Sequence, residues 1–223
     1  ILLMTAIAIR YFRNNTKIFY SSLLSLFLVI ANGGLGAIVV SSILNPFIVS
    51  LHMILALFLV STLSYLTIES YKLFNDAKFT NINLSKKISL SLICLWIFIF
   101  VEILLGTGIR TNIELIAVDN PLLSKGELLD ALNSYKYLHS ILGFSLLFFS
   151  MYLCFLFKDD FFGLSKLLVF FIFGMIIFQI FLGELMIFFD LPQLVRLFHT
   201  WGSSWLVGII IILYNTLHYE QSK

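Results

Sequence analysis

Three histidines lie inside long apolar runs: His52, His139 and His199. A fourth, His218, sits beside Tyr219 and Glu220 in a polar tail and reads as solvated. Ionisable side chains at membrane depth are rare and mark function by default. The plainer reading of each is a neutral imidazole hydrogen-bonded between helices. Two of the three occupy equivalent positions of an internal repeat, which weighs against that plainer reading. His139 and His199 fall on the second and fourth helices of one four-helix unit. Two imidazoles facing each other across a bundle can ligate one haem iron axially. Four residues after each histidine stands a small residue, Ala56, Gly143 or Ser203. That spacing puts it on the same helix face, one turn deeper. A flat macrocycle needs such a gap, although small residues also serve ordinary helix packing in membranes. Lys136 and Arg196 lie three residues before His139 and His199, and Arg110 ends the neighbouring span. These three cations suit haem propionates, with snorkelling to lipid headgroups as the alternative. His52 has Val49 at the matching position, so the two repeat sites differ chemically. Zinc is disfavoured, because no HExxH occurs and no cysteine lies near the histidines. Glu102 and Glu184 are the carboxylates inside the spans, and a structural role is preferred for both over proton carriage.

The elements that must position these residues are helices. Of the 223 residues 60% are hydrophobic and only 12% are charged, against about 25% charged in a soluble domain. Apolar spans read at roughly 18–43, 47–70, 88–110, 135–157, 164–189 and 193–217, with a partial span at 1–9. Each full span is long enough to cross about 30 Å of hydrocarbon. The runs are too long for barrel strands and lack period-2 alternation. Cys94 and Cys154 lie within apolar runs and read as packing residues. With no CxxC, thiol redox chemistry is not expected. No basic cluster interleaved with aromatics points to nucleic acid.

Charge in the breaks sets an orientation. Arg10, Arg13 and Lys17 fill the first, Lys72, Lys78, Lys86 and Lys87 the third, and Lys158 and Lys166 the fifth. The alternate breaks are turns at Leu44-Asn45-Pro46 and Asp190-Leu191-Pro192, and a loop at 111–134 holding Glu114, Asp119, Glu127 and Asp130 against Lys125. The positive-inside rule then places the basic breaks and the C-terminus in the cytoplasm. The three buried histidines share a layer near the outer face.

An internal repeat organises the spans. Gly36 and His52 are matched by Gly183 and His199, both at an offset of 147. Upstream, residues 17–27 fall on 164–174 without a gap, and Met4 falls on Met151. The expectation is an all-α integral membrane protein of two tandem four-helix bundles. The N-terminal half, 1–71, lacks its first helix and most of its second; a cytoplasmic linker spans 72–87; the C-terminal bundle spans 88–217.

In this arrangement the residues resemble the haem A synthase family over nearly the whole chain. Leu105-Gly106-Thr107-Gly108-Ile109-Arg110 is similar to the family's LGxxxR at the end of its fifth helix. Gln179-Ile180-Phe181-Leu182-Gly183, then Leu191-Pro192 and His199, resembles the seventh and eighth helices, and Asn45-Pro46 to Leu51-His52 the start of the fourth. The resemblance implies oxidation of the C8 methyl group of haem O to a formyl group, supplying haem A for terminal oxidases. It implies haem b held by His139 and His199, and substrate haem held by His52, so that all three bind haem iron. It implies that haem O comes from haem O synthase (protohaem farnesyltransferase), that the work serves cytochrome oxidase assembly, and that a membrane electron donor feeds haem b. A bacterial or archaeal cell membrane is the expected location, with homo-oligomerisation left open. The second ligand of the substrate haem and the family's glutamate, thought to be catalytic, have no counterpart. By the repeat offset that ligand would fall before Ile1, so the catalytic residue stays unassigned. Two further departures are Ser140 after His139, where the family often has Arg, and a 111–134 loop without the cysteine pair of many bacterial members.

Two other classes compete. A bis-histidine b-type cytochrome would only transfer electrons, but such bundles usually place haems near both membrane faces. A repeat-built transporter would need broken helices at the midplane, and midspan prolines are absent.

Overall fold

A computed structural model describes residues 1–42, 45–74, 86–132, 134–157 and 163–219. The side chains of Phe74, Lys125, His218 and Tyr219 lie outside the description, as do Leu44, Lys78, Lys158 and the residues after Tyr219. The expectations for those positions, the solvated His218 among them, therefore fall outside the described residues. The described elements are all helical: α1 (Leu2–Tyr11), α2 (Thr16–Ser41), α3 (Pro46–Phe74), α4 (Lys86–Asp119), α5 (Lys125–Asp130), α6 (Ser134–Leu156), α7 (Leu164–Phe188) and α8 (Gln193–Tyr219). Six of them are long and apolar enough to cross a membrane, and α1 is a shorter apolar helix. The protein is thus a multi-pass, all-α integral membrane protein.

Local chemistry explains the ends. Asn15 caps α2, its side chain accepting from the Ile18 N–H at 3.2 Å. Pro46 opens α3, where a missing N–H costs nothing. Between α7 and α8 the chain reverses through Asp190 and Leu191, both with positive φ near 57°. Pro192 follows, and it cannot continue α7.

Three features depart from the sequence expectation. The fourth helix does not stop at Arg110 but runs to Asp119. Residues 111–119 contain neither Gly nor Pro, and Arg110 Nε pairs with Glu114 one turn on at 3.0 Å. Pro121 and the preceding Asn120 end it. The loop expected at 111–134 also contains α5, set by a capping box between Ser124 and Glu127. The expected linker at 72–87 is shortened from both sides, because α3 continues through Phe74 and α4 begins at Lys86.

Contacts run from α4 to α6, α6 to α7, α7 to α8 and α8 back to α4. This ring encloses the main core, with Leu92, Leu95, Leu153, Ile172, Val207 and Leu213 among its buried members. Next to it α2 packs on α1 and α3, and α3 packs on α4 and α8. Large apolar side chains such as Phe27, Ile30, Phe148, Phe155 and Leu167 point outward, as a lipid-facing surface requires. The repeat is visible in the boundaries: α3 starts at Pro46 and α8 at Gln193, 147 residues apart.

Candidate functional site

α3, α6 and α8 each present a histidine five or six residues after their first residue. His139 and His199 meet: their ring centroids are 6.5 Å apart, with the planes at 72°. His52 does not join them. Its Nδ1 is 3.1 Å from the Asn32 carbonyl, between α2 and α3. Among the described residues no group of three or more His, Cys, Asp or Glu is gathered as for a metal ion.

Two interlocking contacts hold His139. On α4, Glu102 and Gly106 are one turn apart; on α6, so are His139 and Gly143. The ring of His139 lies over Gly106, where a Cβ would come 3.2 Å from its Cε1. The carboxylate of Glu102 lies over Gly143, where a Cβ would come 3.1 Å from Oε1. Each helix thus offers a glycine to the other's polar side chain, which lets the backbones close up. The same approach brings Glu102 Oε1 to 3.0 Å from His139 Nδ1. The angle there falls short of a well-formed hydrogen bond, and Glu102 Oε2 has no other partner.

His199 is held differently. The Gln179 carbonyl of α7 faces its imidazole, at the repeat equivalent of Asn32, although Nδ1 makes no bond of good geometry. The Gln179 side chain sits over Gly202. Its Oε1 is 3.2 Å from Ser203 Oγ, which donates to the His199 carbonyl at 2.8 Å.

The gap expected one turn below His139 and His199 is therefore not open. Gly143 receives Glu102, and Ser203 is engaged by Gln179 and by its own helix. The glycine that faces a histidine ring is instead Gly106, and in the other half Gly36, where a Cβ would come 3.3 Å from His52 Cε1. Both belong to the LG pairs visible in the sequence. The pairing of Glu102 with His139 was not anticipated. Its signal is the reciprocal spacing, Glu-x-x-x-Gly against His-x-x-x-Gly on antiparallel neighbours.

The three expected cations also separate. Arg110 is 62% exposed and paired with Glu114. Lys136 is paired with Asp130 of α5. Arg196, one turn before His199, has a buried Nε with no partner.

Two imidazoles facing each other are a donor set that suits one iron. Metal–imidazole bonds are about 2 Å long, so two rings sharing one metal would have centroids about 6 Å apart, close to the observed separation. With Nδ1 of His139 turned to Glu102, its Nε2 remains for a metal. An open groove of about 460 Å³ lies elsewhere, between α3 and α8, lined by Val60, Ser64, Trp201, Ser204, Trp205 and Gly208 among others. By helical phase its α8 residues lie on the face opposite His199, so it is not the imidazole site.

Over residues 1–211 the chain matches the COX15-CtaA family model, described as cytochrome oxidase assembly protein. The chain belongs to that family, the one its motifs resemble. No relative of established function matches it at a significant level.

Proposed function

We propose that this protein is a haem A synthase, an oxidoreductase that converts the C8 methyl group of haem O to a formyl group. The observation that carries the reading is the His139–His199 pair at an iron-spanning separation, in a chain of the cytochrome oxidase assembly family. Haem b would sit between these two rings. When bound, haem iron supplies the redox power that an unactivated methyl group demands. The chain's own residues would bind and orient the haem: His139 and His199 as the ligands of its iron, Arg196 as the free cation for a propionate, Arg110 and Lys136 as lesser candidates. His52 is the ligand on the substrate side, where the Asn32 carbonyl fixes its ring.

The ring of α4, α6, α7 and α8 is then one of two tandem four-helix bundles. The repeat offset maps α2 on α7 and α3 on α8 in the other. The lysine-rich breaks face the cytoplasm by the positive-inside rule, which places the histidine ends near the outer face and the C-terminus inside. Haem O synthase delivers the substrate, a membrane donor supplies electrons, and the product goes to cytochrome oxidase assembly.

The test is expression of the chain with haem O and chromatography of the extracted pigments. A formyl haem absent from His139→Ala and His199→Ala controls is the expected result. A bis-histidine haem spectrum with no formyl haem would leave an electron-transfer cytochrome instead.

A further inference from the structure

We propose that Glu102 is the positioning residue of His139, accepting its Nδ1–H and so aiming Nε2 at the iron. This rests on the reading that His139 and His199 hold haem. The carboxylate lies 3.0 Å from Nδ1. Its second oxygen and the Nδ1 of His139 are both buried without a well-formed hydrogen bond, so each has an unmet need that the other can satisfy. A carboxylate in a span persists where it is paired or used. The site is also built for the pair, since Gly143 makes room for the carboxylate and Gly106 for the ring. His199 has the Gln179 backbone beside its ring and no carboxylate, so the two ligands are unequal. Of the two, His139 alone faces a carboxylate side chain.

The consequence is chemical. A carboxylate accepting from the distal nitrogen fixes the tautomer and raises the basicity of the ligating nitrogen. A more basic, negatively supported ligand favours the ferric state. Loss of such partners typically costs about 10–100-fold in metal affinity.

The experiment uses the full chain purified in detergent, as wild type, Glu102→Gln, Glu102→Leu and Glu184→Gln. Haem release to an acceptor globin and the haem midpoint potential are measured, with ferric low-spin resonance as the marker of two imidazoles. The expected result is a potential rising from wild type to Gln to Leu. Haem release should be about 10–100-fold faster in Glu102→Leu, with Glu184→Gln unchanged. A purely structural Glu102 would move stability but not the potential. If a Glu102 variant fails to fold, Gly143→Ala, which crowds the carboxylate, should shift the potential in the same direction. A wild-type low-spin signal with potentials and release unmoved in every Glu102 and Gly143 variant overturns this inference alone. A wild type with no bis-imidazole signal overturns the haem reading, and the inference with it.

Discussion

Arg196, Arg110 and Lys136 look alike in the sequence, each a cation near the outer end of a span, yet their surroundings rank them. Arg110 and Lys136 already have carboxylates, whereas the buried Nε of Arg196 has none. A hydrogen bond to a charged group contributes about 1.5–3 kcal/mol, or roughly ten- to a hundredfold in affinity. Arg196→Met should weaken haem retention by about that factor, and Arg110→Met and Lys136→Met by much less; equal losses in a haem-transfer assay would discard the ranking. Gly106 makes a second residue-scale prediction. A valine there forces His139 off its place, and overpacking of this kind costs about 1–3 kcal/mol. Gly106→Val should keep its helical circular dichroism while losing low-spin haem. The histidines were legible in the sequence because charge-capable groups stand out in apolar runs. Their partners were not. Spacing tells which residues share a face of one helix, not which faces meet, so Glu102 could be assigned only once α4 lay against α6.

At the scale of elements, the apolar runs gave the seven apolar helices and the ends near Pro46 and Pro192, but not the short α5. The polar segment after Arg110 misled, because polarity was read as loop. Helix persists there, since nothing in 111–119 breaks it, and a polar extension satisfies its own backbone wherever it lies. The short α5 depends on its capping box, and that makes it sensitive to pH. Glu127 accepts from the Ser124 backbone N–H and hydroxyl, both at 2.8 Å, and these bonds hold its carboxyl below the ordinary value of 4.5. A depressed carboxylate stabilises the folded form above its unfolded pKa, and the contribution is lost as pH falls through the lower folded value. Amide protection in α5, measured against the intrinsic exchange rate at each pH, should therefore be higher at neutral pH and fall below about pH 4.5. Glu127→Gln keeps an acceptor that does not titrate and should flatten that dependence, while Ser124→Ala should speed exchange at every pH. Protection in wild-type α5 that ignores acid would show that the box does not hold the helix.

Across the whole molecule, the 147-residue repeat explains why α2 and α3 match α7 and α8, and it also shows where the halves part ways. His52 and His199 are equivalent in the chain, and each faces a carbonyl from the equivalent position, Asn32 or Gln179. Only His199 has a second imidazole across from it. At the opposite end the halves are joined. Lys72, nearly buried, bonds Glu69 at 2.8 Å and the Asn215 carbonyl at 3.1 Å, and Lys17 reaches Glu69 at 3.5 Å, so polar contacts link α2, α3 and α8 there. Repeat position alone makes His52 and His199 look like the same site, but placing His139 and His199 on the second and fourth helices of one four-helix unit already sets His52 apart. The contact map separates a paired imidazole in the ring of α4, α6, α7 and α8 from a single one between α2 and α3. His52→Ala should therefore leave the bis-imidazole haem of the purified chain intact, in both stoichiometry and ferric resonance, while abolishing formyl-haem production. His199→Ala should remove the low-spin signal itself. If His52→Ala erased that signal as completely as His199→Ala, the two halves would share one haem site, and the division of labour between them would have to be abandoned.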